Sequence, residues 1–441
     1  MVLIKRVAIV FLLNFALLFA EEKTGISLSG WGWLTMGQVK ESEFINLMGN
    51  VDFNEKPVGD FQAGVKLTTP LLSRTVCRIH LMSSFVFPVV NISMGVDNAE
   101  PLQKAFSFSL LEASLQTNWS IAGDDTILVE FGYFPVKYNP EAMNLGEYLF
   151  RSNAYPSLLV SGFEQADKVK LAGIRTGYLN NASSGAYRAD IYFNTETDLF
   201  PTMDLSLSGI FSYRCPKAFI DLSCGVSLFH LIPFDEKRIT PAKNPSYTTQ
   251  SASFVDSLTG DTTHYTFRGT KVAARITIDP KVFFKRGILG ENDLKLYAES
   301  AVLGVKNYPG WYNNIRERIP VMFGFNLPAF KLLDVLAVEV EYFPSPYQNS
   351  FQFMWKSNSP VPYFNTYAGI EYYSDWERKT DDDWKWSVYA SKSMGNFRIS
   401  GQIASDHISR APYMPAGKKV YTEICPRTED WYYMLRCGFF F

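Results

Sequence analysis

The chain has 441 residues, a formal net charge of -2 and a hydrophobic fraction of 47%. That length goes well beyond one small core, and the near-neutral charge leaves no basic footprint for nucleic acid. The five cysteines (Cys77, Cys215, Cys224, Cys425 and Cys437) are spaced too irregularly for a disulfide framework or a zinc site, although Cys215 and Cys224 are close enough to pair in an exported chain.

The first element in chain order is a targeting segment. Lys5 and Arg6 precede the apolar run VAIVFLLNFALLFA, which ends at the small residue Ala20. This order of charge, apolar stretch and small residue predicts a secretory signal over residues 1–20 and a mature domain over 21–441. The competing reading, a membrane anchor, needs about 20 apolar residues and has fewer here. The remainder of the chain has no comparable apolar run, so a membrane-embedded mature chain would have to cross with strands.

Beyond the targeting segment, the sequence alternates repeatedly with period two. Ile127, Val129, Phe131 and Tyr133 share a face opposite Glu130, and Tyr187, Ala189, Ile191 and Phe193 oppose Arg188 and Asp190. Val272, Ala274, Ile276 and Ile278 oppose Lys271 and Arg275, while Leu294, Leu296 and Ala298 oppose Lys295 and Glu299. Lys385 and Arg398 mark the polar faces of two later segments. High aromatic content, 15% of residues, supports strands over helices.

Each segment is one-sided and of bilayer-spanning length for a strand. Backbone groups find no water in hydrocarbon, so strands cross a membrane only as a closed barrel. A large soluble sandwich also alternates, and alternation alone leaves both open.

Strands are predicted at 25–39, 59–71, 75–87, 105–118, 126–137, 167–178, 186–196, 204–214 and 218–230. Further strands are predicted at 264–279, 292–304, 318–327, 334–344, 347–356, 363–374, 384–394, 397–408 and 428–441. Their connections alternate between long polar ones, such as 40–58, 88–104, 138–166 and 231–263, and tight turns, such as 72–74 and 395–396. The connection 345–346 is too short for its side and 280–291 too long. Long loops at one rim and turns at the other favour the membrane barrel.

One strand fits poorly. In KVKLAGIRTGY, placing Val169 and Leu171 outward sends Arg175 toward lipid, unless a bulge at Ala172-Gly173 resets the register or the arginine lies near the interface.

The acidic run Asp375, Glu377, Asp381, Asp382 and Asp383 reads as a solvated turn, without the spacing of a calcium loop. The histidines are His80, His230, His264 and His407. Asp406-His407 is the candidate start of a hydrolase triad, but adjacent strand residues point to opposite faces. No phosphate-binding, nucleophile-elbow or zinc-protease motif occurs, so neither an enzyme nor a cofactor or metal is expected.

The chain ends WYYMLRCGFFF, with Tyr433, Leu435, Cys437, Phe439 and Phe441 on one face. This ending resembles the C-terminal assembly signal of bacterial outer-membrane β-barrel proteins, a final aromatic preceded by apolar residues at alternate positions. With the export signal and strand pattern, the resemblance covers the whole chain and is most similar to porins.

It implies an all-β, closed antiparallel transmembrane barrel of about 16–18 strands in a bacterial outer membrane. It also implies contact with membrane lipid and the barrel assembly machinery, and extends to a homotrimer. Inward Glu130, Arg188, Asp190, Lys271, Arg275, Lys295, Glu299, Glu339, Glu341, Lys385 and Arg398 would line a pore for small hydrophilic solutes. They carry both signs and form no ring of one sign.

The long loop 138–166 either caps the barrel or folds into the lumen, as in porins. In the second case Lys137, Glu141, Glu147 and Arg151 would line a constriction. The alternatives that stay open are a plugged lumen and a structural or adhesive barrel whose loops bind a surface partner or polymer.

Overall fold

The computed structural model describes residues 25–42, 53–87, 106–121, 125–151, 169–180, 185–195, 204–215, 219–233, 253–264, 268–284, 287–307, 314–345, 383–410 and 422–441. The strands among them are β1 (Ser27–Glu41), β2 (Pro57–Leu72), β3 (Thr75–Phe87), β4 (Phe106–Ser120), β5 (Asp125–Val136), β6 (Val169–Asn180), β7 (Ala186–Thr195), β8 (Leu205–Cys215), β9 (Ile220–Ile232) and β10 (Ser253–Val255). They continue with β11 (Thr262–His264), β12 (Gly269–Ile278), β13 (Leu296–Val302), β14 (Val321–Asn326), β15 (Val335–Tyr342), β16 (Trp384–Met394), β17 (Phe397–Ser405), β18 (Ser409–Arg410), β19 (Thr422–Glu423) and β20 (Trp431–Phe440).

Sixteen of these form one closed antiparallel barrel, in the order β1–β9, β12–β17 and β20. The pairs β10–β11 and β18–β19 are small separate hairpins within two long connections. Closure is made by β20 against β1, with Trp31 opposite Phe440 and Leu34 opposite Cys437. Two further backbone bonds of 2.9 Å join Phe441 and Gly30, amide to carbonyl in each direction. A side chain at Gly30 would collide with the Phe441 ring, since a Cβ there would lie 2.2 Å from it.

Alternation sorts the two surfaces as physical chemistry requires. In β15 the residues Val335, Ala337, Glu339 and Glu341 are buried, and the intervening residues face outward. Phe61, Phe108, Phe131, Ile191, Phe323 and Leu435 lie exposed on the outside. So many large apolar side chains on the exterior are unfavourable in water and suit a hydrocarbon surround.

The predicted segments 347–356 and 363–374 lie outside the described residues, and the barrel closes without them because β15 pairs directly with β16. The connection there becomes 343–383, which removes the anomalously short 345–346. The short-side connection after β12 stays long and holds a 3-10 turn, Pro280–Phe283, capped by Asp279. Asp383, expected in a solvated turn, is buried at 6% exposure; the other acids of that run lie outside the described residues. All five cysteines are free.

The puzzle of β6 resolves without a bulge. Its register against β5 and β7 is unbroken, and Arg175 pairs inside the barrel. Contrary to the expected outward placement, Leu171 faces inward, 1% exposed, and packs in an apolar cluster within the lumen.

Candidate functional site

The apolar cluster exists because the chain after β5 turns into the barrel. Residues 137–150 fold against the inner wall, burying Tyr138, Leu145, Tyr148, Leu149 and Phe150 on Phe134, Leu171, Tyr192 and Met322. Gly146 makes the sharp turn possible at φ +85°, where a Cβ would also press on Met322 at 2.7 Å. Glu147 comes next, at φ 65°, and staples the loop to itself, accepting from the Tyr138 and Asn139 amides at 2.9 and 2.6 Å.

A loop buried against the wall carries backbone N–H groups that the wall must satisfy. Two wall carboxylates do this. Glu339 accepts from the amides of Met143, Asn144 and Leu145 at 2.6, 2.8 and 2.9 Å, and from the Tyr297 hydroxyl at 2.8 Å. Glu299 accepts from the amides of Glu147 and Tyr148 at 3.0 and 2.7 Å and from Asn139 Nδ2 at 2.9 Å.

Lys271 works in the opposite sense, donating to the carbonyls of Tyr148 and Leu149 at 3.1 and 3.2 Å. The Tyr148 hydroxyl donates to Glu341 at 2.7 Å. Burial and the facing Glu341 and Glu299 charges push the Tyr148 hydroxyl well above its ordinary pKa, so it remains a donor.

The loop tip also meets the connection after β17. Asp406 accepts from Asn144 Nδ2, from Gln402 at 3.1 Å and from the Tyr432 hydroxyl at 2.8 Å. His407 is held between Glu341 at 2.6 Å and Glu423 at 3.1 Å, and Lys385 pairs with Glu423 at 2.6 Å. Burial would lower the His407 pKa, but the charges of Glu423 and Glu341 outweigh it and raise it to about 10. Burial likewise pushes Glu423 up, and Lys385 and His407 more than reverse this, to about 2.

Asp406 and His407 lie just beyond β17, and both are buried. The opposite-face argument therefore does not apply to them. What separates them is partnership: each serves a different set of groups, and both His407 ring nitrogens face carboxylates.

Most of the remaining predicted wall residues are ion-paired. Glu130 lies between Arg78 at 3.6 Å and Arg175 at 3.4 Å, and Asp190 joins Arg175 at 2.9 Å to Arg188 at 2.6 Å. Asp221 joins Arg214 and Arg275, each at 3.1 Å. Lys295 grips Glu141 of the loop at 3.1 Å. Arg398 lies 5.3 Å from the Phe440 ring centre. Lys137 donates to the Ala142 carbonyl at 2.7 Å. Of Arg151 only the backbone, in the turn Tyr148–Arg151, is described.

Sequence reasoning missed Asn144, Asp406, Gln402 and Tyr432 as partners, and the arginines Arg78, Arg175 and Arg214. Arg78 and Arg214 carry a readable signal, since each sits at an inward position of its strand, whereas the apolar Leu171 on the same face masks that of Arg175. The polar cluster carries none, because Asn144 joins Gln402, Asp406 and Tyr432 from a segment far away in sequence.

These features define the molecule as a closed sixteen-strand antiparallel β-barrel with an apolar exterior, a charged interior and an inserted loop. Neither protein-family profiles nor curated protein sequences give a match. Among solved structures the chain is similar to OprB of Pseudomonas putida, with 11% identity over 95% of this chain and 94% of that one and a TM-score of 0.48. It is also similar to OmpF of Salmonella typhi in complex with daunomycin, with 9% identity over 96% and 99% and a TM-score of 0.45. A triple mutant of the Rhodopseudomonas blastica porin shows 9% identity over 94% and 100%, with a TM-score of 0.42.

Proposed function

We propose that the protein is a pore of a bacterial outer membrane through which small hydrophilic solutes diffuse, with the inserted loop setting its narrowest part. The observation that carries this reading is the loop itself. Residues 137–150 are bonded to the charged inner wall by Lys271 of β12, Glu299 of β13 and Glu339 of β15, and reach Asp406 beyond β17, rather than resting over the rim. In this reading Lys137, Glu141, Glu147 and Arg151 belong to the constriction, and Glu130, Arg188, Asp190, Lys271, Arg275, Lys295, Glu299, Lys385 and Arg398 belong to the wall around it.

Residues 1–20 serve export, lipid contacts the outer face, and Tyr433, Leu435, Phe439 and Phe441 are read by the barrel assembly machinery. A homotrimer is the assembly that accompanies this reading.

Liposome swelling tests it. Vesicles containing the folded barrel should admit small sugars and amino acids, with uptake falling as solute size grows. Swelling no faster than in protein-free vesicles, from protein that still shows heat-modifiable migration, would sink the proposal. That result would favour a second reading, a structural or adhesive barrel, which draws on the apolar cluster filling part of the lumen.

A further inference from the structure

A cavity of about 350 Å³ lies inside the barrel beneath the base of the inserted loop. Lys137, Tyr138 and Pro140 form its roof, and β6, β7, β8, β9 and β12 supply the wall. Its wall residues Leu179, Ala186, Arg214 and Asp221 flank the short turns after β6 and β8, so it lies toward the short-turn rim.

The charge of this cavity is unbalanced. Among the described residues, Lys137, Arg175, Arg188, Arg214 and Arg275 line it, against Asp190 and Asp221. Extending the count to the next pair in the chain, Arg78 and Glu130, adds one charge of each sign and leaves an excess of three positive charges.

Two of the cations are poorly served by protein. Lys137 donates to a neutral carbonyl, Ala142 O, at 2.7 Å. Arg275 is buried, 8% exposed, and its Nη1 stands 3.1 Å from Asp221 Oδ1 but out of line for a hydrogen bond. Its Nε has no hydrogen-bond partner among the described residues. Both nitrogens are closed to solvent, so an anion entering the cavity acts on the guanidinium through its charge, offsetting part of the cost of burying it. Guanidinium groups bind tetrahedral oxyanions through paired N–H donors, and the low-dielectric walls of a cavity strengthen the attraction.

We propose that this cavity is a binding site for a small free oxyanion of the phosphate type, held chiefly by Arg275 and Lys137. Lying inside the lumen, it takes a dissolved anion rather than a lipid headgroup. The inference rests on the pore reading only for the route by which the anion arrives.

The test is isothermal titration of inorganic phosphate into the full-length, detergent-folded barrel at constant ionic strength. Saturable binding is expected. Arg275→Gln and Lys137→Gln should each weaken it about tenfold or more, the cost of one charge-assisted hydrogen bond. Lys392→Gln removes the same charge from a pair with Asp334 away from the cavity, and should leave the affinity unchanged.

Heat-modifiable migration checks that each variant is folded. Lys137→Gln, on the loop, leaves the wall intact should Arg275→Gln fail to fold. No saturable phosphate binding by the wild-type barrel, or wild-type affinity in the folded Lys137→Gln variant, would overturn the proposal. Because binding is read without a membrane, this outcome is independent of whether the barrel conducts.

Discussion

Replacing Glu339 by alanine should release the inserted loop while leaving the barrel closed. The carboxylate is 1% exposed and accepts from three consecutive loop amides and one tyrosine hydroxyl. Its loss leaves those donors buried without an acceptor, at about 1–3 kcal/mol each, or roughly 4–12 kcal/mol if nothing moves. That exceeds the roughly 1.5–3 kcal/mol from burying any one of the loop's large apolar side chains. The cheaper course is for residues 143–145 to leave the wall and regain water.

The barrel ladder is untouched, because β15 keeps its backbone pairing to β14 and β16. Hydrogen exchange with mass spectrometry should therefore show lost protection over 143–145 and retained protection over β15 and over Glu147 and Tyr148, which Glu299 still holds. Single-channel recording should show a larger and noisier open conductance. Unchanged protection over 143–145 in a folded Glu339→Ala variant would refute the claim that this carboxylate anchors the loop tip.

The same contacts predict three other outcomes. Gly146→Ala places a side chain at φ +85° and against Met322, so it should cost about 1–3 kcal/mol of loop docking and raise amide exchange over 143–148 without altering β14 or β15. His407, raised to about 10, contributes stability that is complete below its ordinary value near 6.5 and is lost as pH rises through about 10, whereas Glu423, lowered to about 2, loses its contribution only as pH falls from 4.5 toward that value. Amide protection at 423–425 should accordingly be flat near pH 5–6 and decline toward pH 10, and His407→Gln should abolish the alkaline decline. Deleting Phe441 removes both backbone bonds to Gly30 and should lower the yield of assembled barrel in the membrane far more than it changes the conductance of those that assemble.

Much of the barrel is legible in the sequence because one physical rule, apolar outward and polar inward, acts at every second residue. Glu130, Asp190, Lys271 and Glu299 are each readable from their own strand alone. The rule fails where the lumen is not water. Leu171, Phe134 and Tyr192 face inward because the loop covers them, and local alternation cannot tell a lipid surround from a docked loop. For that reason alternation alone sends Leu171 outward and turns Arg175 into a puzzle.

The roles of Glu339 and Glu299 are hidden for a different reason. Both are recognisable as inward carboxylates, but their partners are backbone amides of a distant segment, which no side-chain pattern announces. The contact between Asn144 and Asp406 links positions far apart in sequence and has no local signature either.

The proposed pore requires that the lumen conduct past the anchored loop. Planar-bilayer recording from the reconstituted, folded protein tests it most directly. Discrete, uniform conductance steps are expected, and they should grow in the Glu339→Ala variant. Folded protein inserted in the bilayer that gives no steps at any voltage would contradict the account.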